Sequence, residues 1–340
     1  MERIGIGIIG TGSIVNTYVQ CIKALDNAEL VALYSNSPNR AKEAEKQFET
    51  PVFTELEAFL DQPEISLVCI CNQSGLHGEM TLAAARHGKH VLCEKPLEVT
   101  TEKIDVVIAA CERNGVILGC VLQNRCSDTY RAVERVVKNG SLGKLLLGNA
   151  HINWYRSKEY YANNPWRGTL QYDGGAAFMN QGIHTVDLLL NLMGDVQSVF
   201  GSTKTRVHDI EGEDVGAAVL QFKNGAIGTL TAGTALVPGY PERLEIYGEK
   251  GSILLEGGNI KAWNVEGVPK PDDLNVSGRS SGAADPGNIG HLNHLIVLQD
   301  MLAALLENRV PLVGGLEARK AVEVITAVYR SSAEERPIAL

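Results

Sequence analysis

The first third of the chain alternates short apolar runs with helix-like segments, and this alternation constrains the fold more than any other feature of the sequence. Such alternation is typical of βαβ units, whose strands lie parallel in one sheet. The strand-like segments are residues 4–9, 29–34, 66–71, 90–93 and 116–122, and the helix-like ones are 14–25, 38–48, 56–60, 78–87 and 102–114. The sequence therefore predicts an α/β domain with a doubly wound parallel sheet.

The pattern changes after Asn124, where strand-like segments follow one another and the helices are grouped. Grouping of this kind is typical of an α+β domain with a large, mostly antiparallel open sheet. The predicted strands are 144–155, 197–207, 215–222, 226–234, 243–247 and 252–256, and the predicted helices are 130–138, 182–193, 291–308 and 316–332. We therefore expect two domains, 1–123 and 124–340. The sheet face left free by the helices predicts a subunit contact in a homodimer or homotetramer.

Composition excludes several classes of partner. The net charge of -9 disfavours nucleic acid, because neutralising phosphates requires a concentrated basic surface. The longest apolar runs, such as 67–71, are far shorter than the roughly 20 residues of a membrane helix. Residues 1–10 lack the pattern of a signal peptide, so we expect a cytoplasmic protein. The seven cysteines precede Asp128 without zinc-site spacing, which predicts reduced core residues and no metal.

A glycine-rich turn separates the first strand from the first helix, and it consists of Gly10, Thr11, Gly12, Ser13 and Ile14. Backbone N–H groups and the helix dipole converge at such a turn, which predicts that it binds the pyrophosphate of a dinucleotide. The alternative is a tight turn that needs glycine for its geometry alone. The third fingerprint position holds Val15, which predicts looser packing or a shifted helix.

The position after the second strand, where a carboxylate would bind a ribose 2′-OH, holds Ser35, followed by Asn36 and Arg40. Loss of the carboxylate also removes the repulsion that excludes a 2′-phosphate. The sequence therefore favours NADP slightly over NAD. The alternative is that Arg40 is only the solvated start of a charged helix.

Polar residues follow two further strands of the predicted parallel sheet. Asn72, Gln73 and His77 follow one strand, and Glu94 and Lys95 follow another. Because ligands bind beyond the carboxyl ends of such strands, both groups are expected to line one crevice. Lys95 would then lie near the nicotinamide and donate a hydrogen bond to a substrate hydroxyl. The alternative for Lys95 is a salt bridge to Glu94.

A second group of polar residues follows the diglycine 174–175. Asn180, His184 and Asp187 recur at spacings of four and three residues, which predicts that they share one helix face. His184 can exchange a proton near neutral pH, and Asp187 or Asn180 could fix its tautomer. A lone histidine on a helix is more often structural, but its polar neighbours and the diglycine favour a functional site.

Together these motifs resemble the glucose-fructose oxidoreductase, inositol dehydrogenase and MocA family over nearly the whole chain. The matching segments are 10–12, 76–77, 94–96, 166–168, 182–187 and the closing helices with Pro311 between them. The resemblance implies a Rossmann domain and hydride transfer between NAD(P) and a carbon of a sugar or polyol. Lys95 would polarise and orient the reacting hydroxyl, and His184 would accept its proton. Trp166 and Arg167 would close over the cofactor, unless they are a core tryptophan and a surface arginine.

The chain departs from the family pattern at two places in this site. Asn180 replaces an aspartate that many members carry, so His184 remains the only credible base. Asn72 and Gln73 replace a threonine and a proline, and both can still hydrogen-bond the cofactor. The remaining expected contacts are Asn124 for the cofactor and Arg125, Tyr155, Arg156, Asn180, Asp187 and His291 for the substrate. For the arginines the alternative is a surface salt bridge.

Two other functions stay open on the sequence alone. The first is an NAD-dependent glycosidase that acts by transient oxidation, which would need a base beyond His184. The second is a non-catalytic dinucleotide sensor that regulates other proteins, which would be expected to lose Lys95 or His184. Both residues are present. Loops 157–164 and 269–288, the second read as a surface loop, are expected to set the substrate specificity.

Overall fold

The structure is a computed structural model that describes residues 3–272 and 291–340. The chain divides into two compact units: unit 1 is Met1–Gln123 with His291–Arg319, and unit 2 is Asn124–Gly290 with Lys320–Leu340. The sequence pattern predicts 124–340 as one continuous domain, whereas residues 291–319 group with unit 1. Of the predicted loop 269–288, residues 273–288 lie outside the described residues.

Unit 1 contains a six-stranded sheet in which every neighbouring pair is parallel. Its strands are β1 (Ile4–Ile9), β2 (Ala28–Tyr34), β3 (Val52–Phe53), β4 (Leu67–Ile70), β5 (His90–Cys93) and β6 (Leu118–Cys120). The order β3-β2-β1-β4-β5-β6 confirms the predicted doubly wound parallel sheet. The short β3 has no counterpart in the prediction, because two residues carry no periodic signal.

Helices connect these strands. They are α1 (Val15–Lys23), α2 (Pro38–Phe48), α3 (Leu56–Leu60), α4 (His77–Arg86) and α5 (Thr101–Arg113). In α5 the buried residues Ile104, Val107 and Cys111 recur at helical spacing, so one apolar stripe faces inward. The Thr100 side chain accepts a hydrogen bond from the Lys103 N–H and caps the helix start.

The segment 291–319 joins unit 1 mainly through a later helix, α9 (Leu292–Glu307), which packs against α1. Its Val297, Leu298 and Met301 side chains are buried. A side chain at Gly119 of β6 would meet Met301 Sδ at 3.1 Å, so glycine permits this close approach. An amphipathic helix specifies that one face must be covered but not which domain covers it, and the sequence pattern therefore misassigned this segment.

Unit 2 contains an eight-stranded sheet with the order β13-β12-β11-β7-β10-β9-β8-β14. Its strands are β7 (Leu145–Asn153), β8 (Val196–Lys204), β9 (Val215–Phe222), β10 (Ile227–Gly233), β11 (Arg243–Gly248), β12 (Gly251–Glu256), β13 (Asn259–Val265) and β14 (Ile338–Ala339). The β7 and β10 strands pair in parallel, and the other neighbours are antiparallel. The predicted mostly antiparallel sheet is confirmed, with β13 and β14 as additions.

The helices of unit 2 are α6 (Asp128–Lys138), α7 (Lys158–Ala162) and α8 (Ile183–Met193). A further helix, α10 (Gly315–Glu334), contains the unit boundary between Arg319 and Lys320. A π-helical turn, Ala177–Gly182, leads directly into α8. Helix α8 packs on β7, where a side chain at Gly148 would meet Met193 Cγ at 2.7 Å. Phe200 and Val219 lie opposite each other on β8 and β9, and both side chains are about half exposed.

All seven cysteines are buried free thiols, as predicted for core residues. None of the helices in the described ranges combines the length and the apolar character required to cross a membrane.

Candidate active site

The glycine turn lies between β1 and α1. Gly10 has a φ of +118°, and a side chain there would meet the Cys71 carbonyl oxygen at 2.8 Å, so the turn requires glycine. A side chain at Gly12 would meet nothing within 4 Å, which leaves room beside the turn for a ligand. Helix α1 begins at Val15, one residue later than predicted, and this valine is fully buried. Ile14 is its N-cap residue.

Ser35 lies beside this turn at the end of β2. Its hydroxyl is 3.5 Å from that of Thr11 and accepts a hydrogen bond from the Ser37 N–H at 3.4 Å. Asn36 and Arg40 are exposed, with Arg40 in the first turn of α2. The structure thus brings Ser35 to the glycine turn and leaves the Arg40 guanidinium on the surface of unit 1.

Lys95 follows β5 in a loop that is anchored through Glu94. Glu94 Oε1 accepts a hydrogen bond from the Tyr18 hydroxyl at 3.0 Å and lies 3.6 Å from Nε2 of His294, while Oε2 accepts the Lys95 N–H at 3.3 Å. Burial raises the pKa of the Glu94 carboxyl, but His294, Lys95 and Tyr18 outweigh burial and hold that pKa below its usual value. The loop therefore presents Lys95 beside a partly buried, ionised carboxylate.

Two further residues fix the same loop. The buried His77 has Nδ1 2.6 Å from the Pro96 carbonyl oxygen and Nε2 3.2 Å from that of Asn72. The buried Glu98 carboxylate accepts hydrogen bonds from the N–H groups of Gly78 and Val99 at 3.0 and 2.7 Å. His77, predicted from its position to bind the cofactor, thus holds the loops after β4 and β5 together through backbone carbonyls.

Two carboxamide oxygens at the carboxyl ends of the strands are available to accept hydrogen bonds from a ligand. Asn72 Oδ1, after β4, and Gln123 Oε1, after β6, are buried and have no hydrogen-bond donor among the residues described. Because a buried acceptor without a donor is costly, these oxygens fit a ligand that donates hydrogen bonds. The carboxamide and ribose hydroxyls of a nicotinamide dinucleotide are such donors. Gln73 is half-buried next to Asn72. Gln123 directly follows the predicted strand 116–122, a position that the sequence prediction did not use.

In unit 2, the half-buried His184 lies in the first turn of α8. The sequence spacing predicts one helix face for Asn180, His184 and Asp187, but Asn180 lies in the π-helical turn before α8. A π-helical turn contains more residues than an α-helical one, so the four-residue spacing does not carry the predicted alignment across it. Only His184 and Asp187 belong to the same regular helix.

Arg125 and Asp187, both predicted to contact the substrate, are paired with each other. Arg125 Nε and Nη2 donate to the two Asp187 oxygens at 2.8 and 2.6 Å, and both side chains are buried. A bidentate arginine–carboxylate pair of this kind fixes two elements together. Here it joins α8 to the segment before α6, and a substrate role for either residue stays a prediction.

Arg156 is also buried and donates two hydrogen bonds to Gln181 Oε1, at 3.0 and 2.6 Å. A third donor, Nη1, reaches the Tyr155 carbonyl oxygen at 2.8 Å. Burial lowers the pKa of Arg156, with Tyr160 and Tyr161 acting in the opposite direction. Of the predicted pair Tyr155 and Arg156, it is Arg156 that contacts the π-helical turn, through Gln181.

The buried Glu213 holds the start of this π-helical turn. Its carboxylate accepts the N–H groups of Ala176 and Phe178 at 3.2 and 2.6 Å and the Tyr329 hydroxyl at 3.0 Å. Burial raises the pKa of Glu213. Gly175 has a φ of +134°, and a side chain there would meet the Tyr329 hydroxyl at 2.2 Å. Both observations explain why the second position of the diglycine 174–175 is glycine.

Trp166 and Arg167 pack in unit 2 around Tyr160. The Arg167 guanidinium lies 4.0 Å from the centre of the Tyr160 ring and 5.9 Å from that of Trp166. A cavity of about 650 Å³ lies beside Arg167 and is also lined by Lys158, Tyr161 and His208. The predicted closure of Trp166 and Arg167 over a cofactor stays a prediction.

Asn124 and His291 are two further residues of the predicted site. Asn124 is half-buried, and its carbonyl oxygen accepts the Ser127 N–H at 3.3 Å. His291 is exposed in unit 1 immediately before α9, and its carbonyl oxygen accepts from Cys21 Sγ at 3.6 Å. The histidine that reaches the Lys95 loop is instead His294, one helical turn later. Across residues 3–272 and 291–340, no cluster of His, Cys, Asp and Glu has the arrangement of a metal site.

In comparison with known proteins, a segment of each unit matches a family model. Residues 4–121 match the model of an oxidoreductase family with an NAD-binding Rossmann fold, and residues 130–254 match that of the GFO/IDH/MocA C-terminal domain. A similar solved structure is that of the WlbA dehydrogenase of Bordetella pertussis in complex with NADH and UDP-GlcNAcA. The two chains are 30% identical, the TM-score is 0.89, and the match covers 100% of this chain and 99% of that chain.

Two curated relatives extend the comparison. Myo-inositol 2-dehydrogenase of Thermotoga maritima is 29% identical over 76% of this chain and 77% of its own length. The scyllo-inositol 2-dehydrogenase (NADP⁺) IolW of Bacillus subtilis is 25% identical over 100% of this chain and 97% of its own length. The resemblance seen in the sequence motifs is therefore confirmed over both units.

Proposed function

Because this chain belongs to the GFO/IDH/MocA family of oxidoreductases, we propose that it transfers a hydride between NAD(P) and a hydroxyl-bearing carbon of a sugar, a sugar derivative or a cyclic polyol. The observation that carries this proposal is the anchoring of Lys95 by Glu94, Tyr18 and His294 at the carboxyl end of a parallel strand. Relatives named for inositols and a similar structure that contains UDP-GlcNAcA support the substrate class.

In the oxidising direction, Lys95 donates a hydrogen bond to the oxygen of the reacting hydroxyl and stabilises the negative charge that develops there. His184 accepts the hydroxyl proton as general base. NAD(P), when bound, would supply the acceptor for the hydride that leaves the carbon as the C–O bond becomes a carbonyl. In the reducing direction His184 returns the proton to the carbonyl oxygen.

The cofactor is held by residues of unit 1 in this proposal. The turn at Gly10 and Gly12 receives the pyrophosphate, and the side-chain oxygens of Asn72 and Gln123 accept hydrogen bonds from the nicotinamide end. Ser35 faces the ribose, and the absence of a carboxylate at this position favours NADP slightly over NAD. The relative IolW, which is named for NADP⁺, supports this preference.

We also propose a homodimer or homotetramer in the cytoplasm. The support for an oligomer is the pair of half-exposed apolar side chains Phe200 and Val219 on the sheet of unit 2. Light scattering of the purified protein measures this state, and a monomer at micromolar concentration would contradict the expectation.

Turnover on a defined panel tests the main proposal. The panel contains myo-inositol, scyllo-inositol, simple aldoses and UDP-GlcNAcA, each with NAD⁺ and NADP⁺, and reduced nicotinamide is followed by its absorbance. On the best substrate, Lys95→Ala and His184→Ala should each lower kcat by about 10²- to 10⁴-fold, the usual contribution of a positioned acid or base. Binding of reduced cofactor, followed by its fluorescence, should be kept in His184→Ala.

Matched surface substitutions provide the controls. Lys138→Ala removes a lysine that pairs with Glu134 on the surface of α6, and His87→Ala removes a histidine between Glu57 and Asp61. Both should keep the activity of the parent. Full turnover in Lys95→Ala or His184→Ala would refute the assigned roles, and a parent without turnover on any substrate in either direction would refute the proposed reaction.

A further inference from the structure

A buried aspartate that the proposed reaction does not use lies against Asn180. Asp173 is 1% exposed, its Oδ2 accepts the Gly168 N–H at 2.7 Å, and its Oδ1 accepts a hydrogen bond from Asn180 Nδ2. A buried carboxylate is retained only where donors satisfy its oxygens. One of the donors here is the residue that replaces a carboxylate at the predicted active site.

The other end of Asn180 is also fixed. Asn180 Oδ1 accepts from Gln181 Nε2 at 2.7 Å, and the same Nε2 donates to the Tyr160 hydroxyl at 2.9 Å. Gln181 Oε1 accepts both hydrogen bonds from Arg156. A guanidinium can only donate, so Arg156 determines which end of the Gln181 carboxamide is the oxygen. Gln181 in turn determines the orientation of the Asn180 carboxamide.

The hydrogen bonds thus run in one direction, from the cation Arg156 through Gln181 and Asn180 to the anion Asp173. Both charged ends require the same orientation of Asn180, with its oxygen towards Gln181 and its nitrogen towards Asp173. A carboxylate at position 180 could only accept, and it would face a second carboxylate. The arrangement therefore needs one charged and one neutral member at positions 173 and 180.

We infer that Asp173 is a positioning residue for the reaction and that it forms with Asn180 a matched pair that holds the π-helical turn leading to His184. This inference rests on the proposed hydride transfer. It accounts for the carboxamide at position 180, because Asp173 already supplies the carboxylate that accepts a hydrogen bond from this position. Exchange of the two side chains should then preserve the pair.

The other ionisable groups that face Asp173 titrate outside the neutral range. Burial raises the pKa values of Tyr161 and Tyr329, and the charge of Asp173 adds to both shifts. Tyr329 in turn donates to Glu213, and Arg156 reaches the pair through Gln181. His184 follows this turn and can also exchange a proton near neutrality, but the exchange variant carries the same carboxyl at position 180. A pH dependence that appears in Asn180→Asp and is absent from the exchange variant therefore comes from the two adjacent carboxyls.

The test is a double-mutant cycle of Asp173→Asn, Asn180→Asp and the exchange Asp173→Asn/Asn180→Asp. Each single variant should lose roughly tenfold to hundredfold in kcat/KM at pH 8, as expected for a lost hydrogen bond to a charged group. Asn180→Asp alone should regain activity as the pH falls, because two adjacent carboxyls share one proton. The exchange variant should return to within about threefold of the parent without this new pH dependence. Asn163→Asp, an exposed position in the same unit, is the control for added charge.

Each outcome decides the matter. If the effects of the single changes multiply in the exchange variant, Asp173 and Asn180 are not coupled and the inference is overturned. If Asp173→Asn does not fold, tryptophan fluorescence of the exchange variant replaces the activity assay, and failure to regain the folded signal overturns the inference. A parent inactive on the whole panel overturns both the proposed function and this role, whereas an active parent with uncoupled variants overturns this role alone.

Discussion

Removal of the Asp187 charge should destabilise unit 2 more than any change on its surface. Asp187 is 2% exposed, and both of its oxygens accept hydrogen bonds from Arg125, which is 7% exposed. In Asp187→Asn the side chain keeps its shape, but the buried guanidinium loses its counter-charge and one of two acceptors. Breaking one partner of a buried ion pair costs about 3–5 kcal/mol. We expect about 3 kcal/mol for this conservative change, at the lower end of that range.

The chain offers a specific probe for this measurement. All three tryptophans, at positions 154, 166 and 263, lie in unit 2, so tryptophan fluorescence during urea unfolding reports on that unit. The paired replacement Arg125→Met/Asp187→Leu should recover most of the loss, since apolar side chains often replace a buried ion pair without net cost. An Asp187→Asn midpoint that corresponds to a loss of under about 0.5 kcal/mol, the usual range of surface changes, would refute the reasoning. A raised KM in the folded paired variant would separately support the predicted substrate contacts.

Three further predictions concern unit 1. Ser35→Asp should shift the cofactor preference towards NAD by at least about tenfold in kcat/KM, because the new carboxylate repels a 2′-phosphate, and Arg40→Ala should shift it in the same direction but less. Because the pKa of Glu94 is lower in the folded than in the unfolded chain, its stabilisation is complete above the unfolded value and is lost as pH falls through the folded pKa. Circular dichroism of Glu94→Gln during acid unfolding should therefore show a weaker loss of stability below about pH 4.5 than the parent. Burial raises the pKa values of Cys21 and Cys111 to about 11. A thiol reagent at pH 8 should therefore modify these two cysteines only after urea unfolding, and rapid labelling of them in the native protein would contradict this expectation.

The regular parts of the fold could be predicted from the sequence because their signals are local. The strands β1, β4 and β5 are continuous apolar runs, as expected of strands covered on both faces, and the helices between them have amphipathic spacing. Strand β13 was missed because its residues 259–265 are mostly half-buried and mix polar with apolar types. Its identity depends on pairing with β12, a contact that no local pattern encodes.

The candidate site also combines residues with a local sequence signal and residues whose role depends on contacts between distant positions. Lys95 and His184 could be found because each lies at a fixed offset from a strand or a helix. Their supporting residues could not, because those contacts join distant positions: Glu94 meets His294 from α9, and the π-helical turn is held by Glu213 from the segment before β9. The predicted shared face of Asn180, His184 and Asp187 assumes an α-helix throughout, whereas residues 177–182 form a π-helical turn.

The buried carboxylates around Lys95 and His184 explain why the reaction is assigned to a lysine and a histidine. Glu98 and Glu213 each accept two backbone N–H groups, and Asp173 accepts one together with the Asn180 amide. A carboxylate whose lone pairs are directed at fixed donors must lose a hydrogen bond before it can accept a proton. This geometry makes it a poor general base even at Glu213, where burial raises the pKa. The same bonds restrict the loops that carry the reacting groups, which lowers the cost of orienting them in the transition state. In the proposed reaction these acids contribute by positioning, and proton transfer is assigned to His184 because the unperturbed pKa of a histidine side chain lies near neutrality.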